Sequence, residues 1–289
     1  MAITNGASSE PPPVKPDALS RAAELVGTLL TPVAVVTALL FYFGWVRTAA
    51  IFGYFGIDQN LLGFTTNDYL LRSAGVAFRP LAVLLIIVGL LMTLARVLVL
   101  ARNSDARFSR GFAGAVALLA GLSLVGGLAT LFGLPSPMGP LPSAVALGIG
   151  AVGLELVASL ALQTHSHLVV STRRTLFVAL ALLAAFWAFA VYAQRTGERL
   201  AHAWGQDLWT RPKVLVFSKE NLHLSGPGVS DDSLRGEDGF TFRYNGYRLL
   251  IYSHGRWLLL PEGWTTDGSS TAVVLFDDPG LRIEVAPGG

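Results

Sequence analysis

Apolar residues are arranged in two different ways along this chain. Between residues 25 and 194 they form five long runs that are nearly free of charge. Beyond residue 211 they come in short runs broken by Gly, Asp and Pro. A helix needs about 20 mostly apolar residues to cross roughly 30 Å of hydrocarbon, whereas short apolar runs bounded by turn residues read as strands. The pattern therefore predicts an α-helical membrane bundle of about five transmembrane helices followed by a small all-β antiparallel C-terminal domain.

The five runs cover residues 25–45, 80–101, 111–134, 143–163 and 175–194. Pro32 sits inside the first, where it kinks the helix or marks its first turns. That run ends in Phe41-Tyr42-Phe43-Gly44-Trp45, the aromatic composition of a membrane interface. Pro80 suits the first helical position of the second run, and Arg96 lies near enough to its far end to snorkel. The division that follows is a disordered tail at 1–20, a transmembrane domain at 21–195 with its first loop at 46–79, a linker at 196–212, and a soluble β domain at 213–289.

Charge in the loops sets an orientation. Arg102, Arg107 and Arg110 fill one turn and Arg173 and Arg174 another, while the turn at 134–142 is rich in proline and has no charge. The positive-inside rule puts the arginine turns in the cytoplasm. The N-terminus is then cytoplasmic and the C-terminal domain extracytoplasmic, at the plasma membrane. Arg47, Arg72, Arg79, Arg195 and Arg199 weigh the other way. Small residues recur every four positions: Ala113, Ala117 and Gly121; Ala146 and Gly150; Ala181 with Ala185 and Ala184 with Ala188. Such faces let helix backbones approach closely. Packing within one chain is favoured over a homo-oligomer interface, because alanine is abundant throughout.

Only 14% of the 289 residues are charged and 52% are hydrophobic, against about 25% charged in an average soluble domain. The net charge is +2 and the basic residues flank apolar runs, which argues for topology signals and against nucleic acid as a partner. With no cysteine in the chain, disulfides, thiolate metal sites and cysteine nucleophiles are excluded. The Pro-rich stretch before residue 18 reads as a tail rather than a signal peptide, so the first run is expected to remain as an anchor.

Glu155 is the acid deepest within a predicted span. An ionisable group there costs roughly 2.5 kcal/mol or more unless it pairs, protonates or faces a cavity. It is either an ion or proton site, or a structural bridge to an arginine such as Arg96. The first loop mixes Phe52, Tyr54, Phe55, Phe64 and Tyr69 with Asp58, Asp68 and Arg72. Thr66 or Asn67 is expected to cap a short helix there. Such a mixture suits the headgroup layer or a re-entrant segment, with a pore mouth or substrate vestibule as the sharper alternative. This loop and its flanking helices resemble those of uncharacterised small multi-pass membrane proteins of high-GC actinobacteria, and the resemblance implies no activity.

His165 and His167 form a His-x-His pair, but no third ligand completes a zinc site, and a solvated turn is favoured. Ser123 lacks the surroundings of an intramembrane nucleophile. In the C-terminal part, strands are predicted at 214–217, 240–244, 247–252, 256–260, 272–276 and 281–285. Asn245-Gly246 is expected to turn a hairpin, His254-Gly255 another, and Pro279-Gly280 a type II turn. Residues 222–239, with Asp231, Asp232, Glu237 and Asp238, read as a solvated acidic loop rather than a calcium site. Trp257 and Trp264 read as packing residues. No catalytic constellation, cofactor or metal site emerges.

The preferred reading is a non-enzymatic multi-pass membrane protein whose bundle anchors the β domain for binding an envelope protein or ligand. Its alternative is a homo-oligomeric channel or small transporter using Glu155 and the first loop, and an intramembrane enzyme comes third.

Overall fold

The computed structural model describes residues 18–102, 106–135, 139–161, 167–234, 239–266 and 270–289. The tail expected at 1–20 lies outside these up to residue 17, and its last three residues belong to the first helix. Five helices follow one another: α1 (Ala18–Tyr54), α2 (Thr66–Arg102), α3 (Ala106–Leu131), α4 (Pro140–Ala161) and α5 (His167–Gln206). Each holds a stretch long and apolar enough to cross a membrane. The chain divides into two compact units, residues 1–39 and residues 40–289. In the first, side chains Val33 to Leu39 of α1 are exposed, as suits a surface solvated by lipid.

Three helices outrun the lengths predicted from hydropathy. α1 continues to Tyr54, α2 begins at Thr66, and α5 runs through much of the expected linker to Gln206. At 40 residues α5 is roughly 60 Å long, about twice the hydrocarbon thickness. The start of α2 is fixed by a capping box. The Thr65 backbone N–H and hydroxyl both donate to Asp68 Oδ2, at 2.7 and 2.8 Å, and the Asp68 N–H returns to Thr65 Oγ1 at 3.4 Å. The cap is thus Thr65, one residue before the position expected. Pro80 lies inside α2 rather than opening it.

Small residues set the contacts among α3, α4 and α5. A Cβ on Gly150 would collide with the Ala120 carbonyl and the Leu124 backbone, and one on Gly127 would strike Leu147. Ala144, Leu147 and Ala151 of α4 are fully buried, and Ala184 of α5 faces Gly148. The expected rows on α4 and α5 thus include contact residues. On α3, Gly121 has nothing within 4 Å, and Ala120 and Gly127 make the contact instead.

The C-terminal part is an open antiparallel sheet of β1 (Lys213–Ser218), β2 (Ser230–Ser233), β3 (Phe242–Ser253), β4 (Arg256–Pro261), β5 (Val273–Phe276) and β6 (Leu281–Ala286). The strand order is β5-β4-β3-β1-β6, with β2 pairing the first half of β3. Two predicted strands are in fact one. Asn245-Gly246 does not turn the chain but forms a β-bulge inside β3: Val214 pairs with Tyr247 and Val216 with Tyr244, so two residues oppose Leu215. Gly246 takes φ +94, and a Cβ there would overlap the Gly228 carbonyl oxygen. Conversely, the expected acidic loop contributes β2, in which Asp232 binds Arg243 at 2.6 Å. His254-Gly255 does turn a hairpin, both residues having positive φ (48 and 75). Gly280 does not take the positive φ of a type II turn.

The middle of the sheet is buried on both faces. Val214, Val216, Tyr244, Tyr247 and Leu259 make one cluster within the sheet. Leu250, Leu258 and Leu260 point the other way, onto Ile51, Phe52 and Phe55 of α1, Ile57 and Leu62 of the first loop, and Ala201 of α5. Leu258, Leu259 and Leu260 are consecutive and all fully buried. A strand covered on both sides reads as a continuous apolar run, not as an alternation.

Candidate functional site

The first loop is where the helices receive the sheet. Asp58 caps a short 3-10 helix (Gln59–Leu62), its Oδ1 accepting from the Asn60 N–H at 2.9 Å, and Gly63 closes that helix at φ +65. The Leu61 carbonyl accepts from Arg256 Nη1 at 2.6 Å, which ties the loop to the β3–β4 hairpin. Asp68, besides capping α2, lies 3.9 Å from His254 Nε2 of the same hairpin. The Arg72 guanidinium stacks 4.3 Å over Phe64 and its carbonyl accepts from Arg47 Nη1. These candidate residues come together around one junction, as caps and clamps. The aromatic loop predicted for the headgroup layer lies under the sheet, because Leu258 and Leu260 need an apolar partner.

On the sheet side the fastener is Arg248. It is 7% exposed, donates from Nη1 to the Trp209 and Arg211 carbonyls at 2.9 Å each, and binds Glu262 through Nη2 at 2.9 Å. Trp264 packs against Tyr54 and Phe55 with its ring tilted about 55° to theirs, as expected of a packing residue. Trp257 donates to Asp277 Oδ1 at 2.7 Å, and that carboxylate also receives the Tyr252 hydroxyl at 2.8 Å, holding the Tyr252 phenol above its usual pKa.

Glu155 meets Arg173, not Arg96. Nε donates to Oε2 at 3.0 Å and Nη2 to Oε1 at 3.3 Å, with both side chains mostly buried between α4 and α5. The sequence carried a signal for this: an antiparallel helical hairpin brings together positions equidistant from its turn, and 155 and 173 are both nine residues from 164. Arg173, a loop charge by hydropathy, lies in the second turn of α5. Arg96 is exposed on α2. Ser123 is half-buried on α3. His165, Glu237 and Asp238 lie outside the described residues, as does the side chain of His167.

Above this ion pair runs a cavity of about 660 Å³. One wall is α2, with Val83, Leu84, Ile87 and Leu91; the other is α4, with Val145, Ile149 and Val152. Its floor is α5, where Ala181, Ala184, Ala185 and Ala188 leave room that larger side chains would fill. Arg79 stands at one end with Leu141 and Tyr192, and Glu155 at the other. Hydropathy had located the helices but not this groove, which depends on how far α2 stands from α4.

No protein-family model, curated protein or solved structure matches this chain.

Proposed function

We propose that this protein is a non-enzymatic, multi-pass membrane protein that holds its β domain as a rigid extracytoplasmic head for binding a partner or ligand. Its role in the cell envelope would be accessory, sensory or in assembly. The observation that carries this reading is the two-sided burial of β4. Leu258 and Leu260 pack on the ends of α1 and α5, so the head is fused to the bundle rather than tethered by a loose linker. Fully burying each leucine contributes about 1.5–3 kcal/mol, and Arg248 and Arg256 add charge-assisted bonds at the same junction. A domain held this firmly presents its outer surface in a fixed orientation to the membrane.

The two features on which the channel alternative rests are both engaged elsewhere. Glu155 is engaged by Arg173, and the first loop is packed beneath the sheet. The extracytoplasmic orientation rests on Arg102 at the end of α2, Arg107 and Arg110 at the start of α3, and Arg173 and Arg174 at the start of α5, by the positive-inside rule.

The test uses the absence of cysteine. Ser230 is exposed on β2, and Ser230→Cys gives a single thiol on the head. Labelling of intact cells by a membrane-impermeant maleimide is the expected result. Labelling only after lysis would put the head in the cytoplasm and overturn the envelope role. Ion flux through liposomes that depended on Glu155 would instead restore the channel.

A further inference from the structure

We propose that the groove between α2 and α4 is a binding site for an acidic phospholipid, with the headgroup phosphate on Arg79 and an acyl chain lying along the alanine floor of α5. The proposal is independent of the role assigned to the head. Its first support is depth. Arg79 and Arg96 are 17 residues apart on α2, roughly 25 Å, close to the thickness of the hydrocarbon. They bracket the lipid-immersed part of the helix, so Arg79 stands at the level of the headgroups, with Tyr192 beside it as an interfacial aromatic.

The second support is charge. Arg79 is exposed and has no carboxylate or hydrogen-bond partner among the described residues. The other charged rim residue, Glu155, is already paired with Arg173 at the far end. One end of the groove is therefore cationic and available, and an anion at the headgroup level completes it.

The third support is the lining. From Leu141 to Glu155 the groove follows α4 for roughly 21 Å. Its walls and floor are apolar between Arg79 and Glu155 and offer a polar solute nothing. An extended hydrocarbon chain below a charged headgroup matches that lining.

The test measures lipid association with the full-length protein in phosphatidylcholine bilayers carrying a trace of spin-labelled lipid, either phosphatidylglycerol or phosphatidylcholine. The expected result is a motionally restricted phosphatidylglycerol fraction with roughly fivefold preference, the effect of one basic residue near the surface. Arg79→Gln should bring the preference close to unity and Arg79→Lys should keep it. Ala185→Phe, which fills the groove without touching Arg79, should reduce the restricted fraction for both lipids. Equal association of both labels with the wild type would overturn the proposal, as would a preference that survives Arg79→Gln. A third result would also replace it. If Val83→Cys, the only thiol in the chain, cross-linked two copies in the bilayer, the groove would be an interface between chains.

Discussion

Glu155 on α4 and Arg173 on α5 meet at two points, Oε2 to Nε at 3.0 Å and Oε1 to Nη2 at 3.3 Å. Hydrogen bonds to charged groups contribute about 1.5–3 kcal/mol, and removing one partner leaves the other charge stranded. Glu155→Gln is therefore expected to lower the melting temperature in detergent. Glu155→Gln with Arg173→Gln should recover much of that loss, since neither member is then an unpaired ion. A loss in the double variant equal to the sum of the losses in Glu155→Gln and Arg173→Gln would mean that the pair is not coupled.

Phe52 joins the helices to the sheet from below, with no exposed surface. Phe→Ala in a packed core costs about 3–5 kcal/mol. Hydrogen exchange should then quicken at β4, whose Leu258 and Leu260 lose their cover, more than at the β1–β6 pairing. Unchanged exchange at β4 would show that the sheet holds together without the bundle.

Gly246 is required by the bulge. Alanine there would take a positive φ, at about 1–3 kcal/mol of strain, and would press on the Gly228 carbonyl oxygen as well. Thermal melts should show Gly246→Ala destabilised. Gly53→Ala, on a helix with nothing within 4 Å, should be neutral or slightly stabilising.

Burial raises the Tyr247 phenol above its ordinary value, helped by Tyr244 beside it. The folded state thus holds this proton more tightly than the unfolded chain does. The resulting stability is fully present below the unfolded tyrosine pKa of about 10 and is lost as pH rises through the higher folded value. Unfolding free energies measured across that alkaline window should fall for the wild type and fall less for Tyr247→Phe.

The helices and the β class were legible from hydropathy because lipid selects composition directly. Helix ends were not: the cap at Thr65 and the length of α5 depend on contacts made above the hydrocarbon, where composition becomes ordinary. Asn245-Gly246 misled because the positive φ that suits a hairpin also suits a bulge, and only the partner strand decides between them. β2 was hidden since all four of its residues are polar and exposed. Arg173 was legible by symmetry about its turn, while Arg79 gained its meaning only once α2 and α4 were seen to stand apart.

The bond from Arg256 to the Leu61 carbonyl joins residues 195 positions apart. During synthesis the aromatic platform of the first loop is made long before β3 and β4, and stays uncovered while four further helices are made. Contacts so distant in sequence form late and slowly. Completion of the head is thus the last event in maturation, and a chain truncated before β4 would leave its own apolar landing surface open to whatever recognises unfinished membrane proteins.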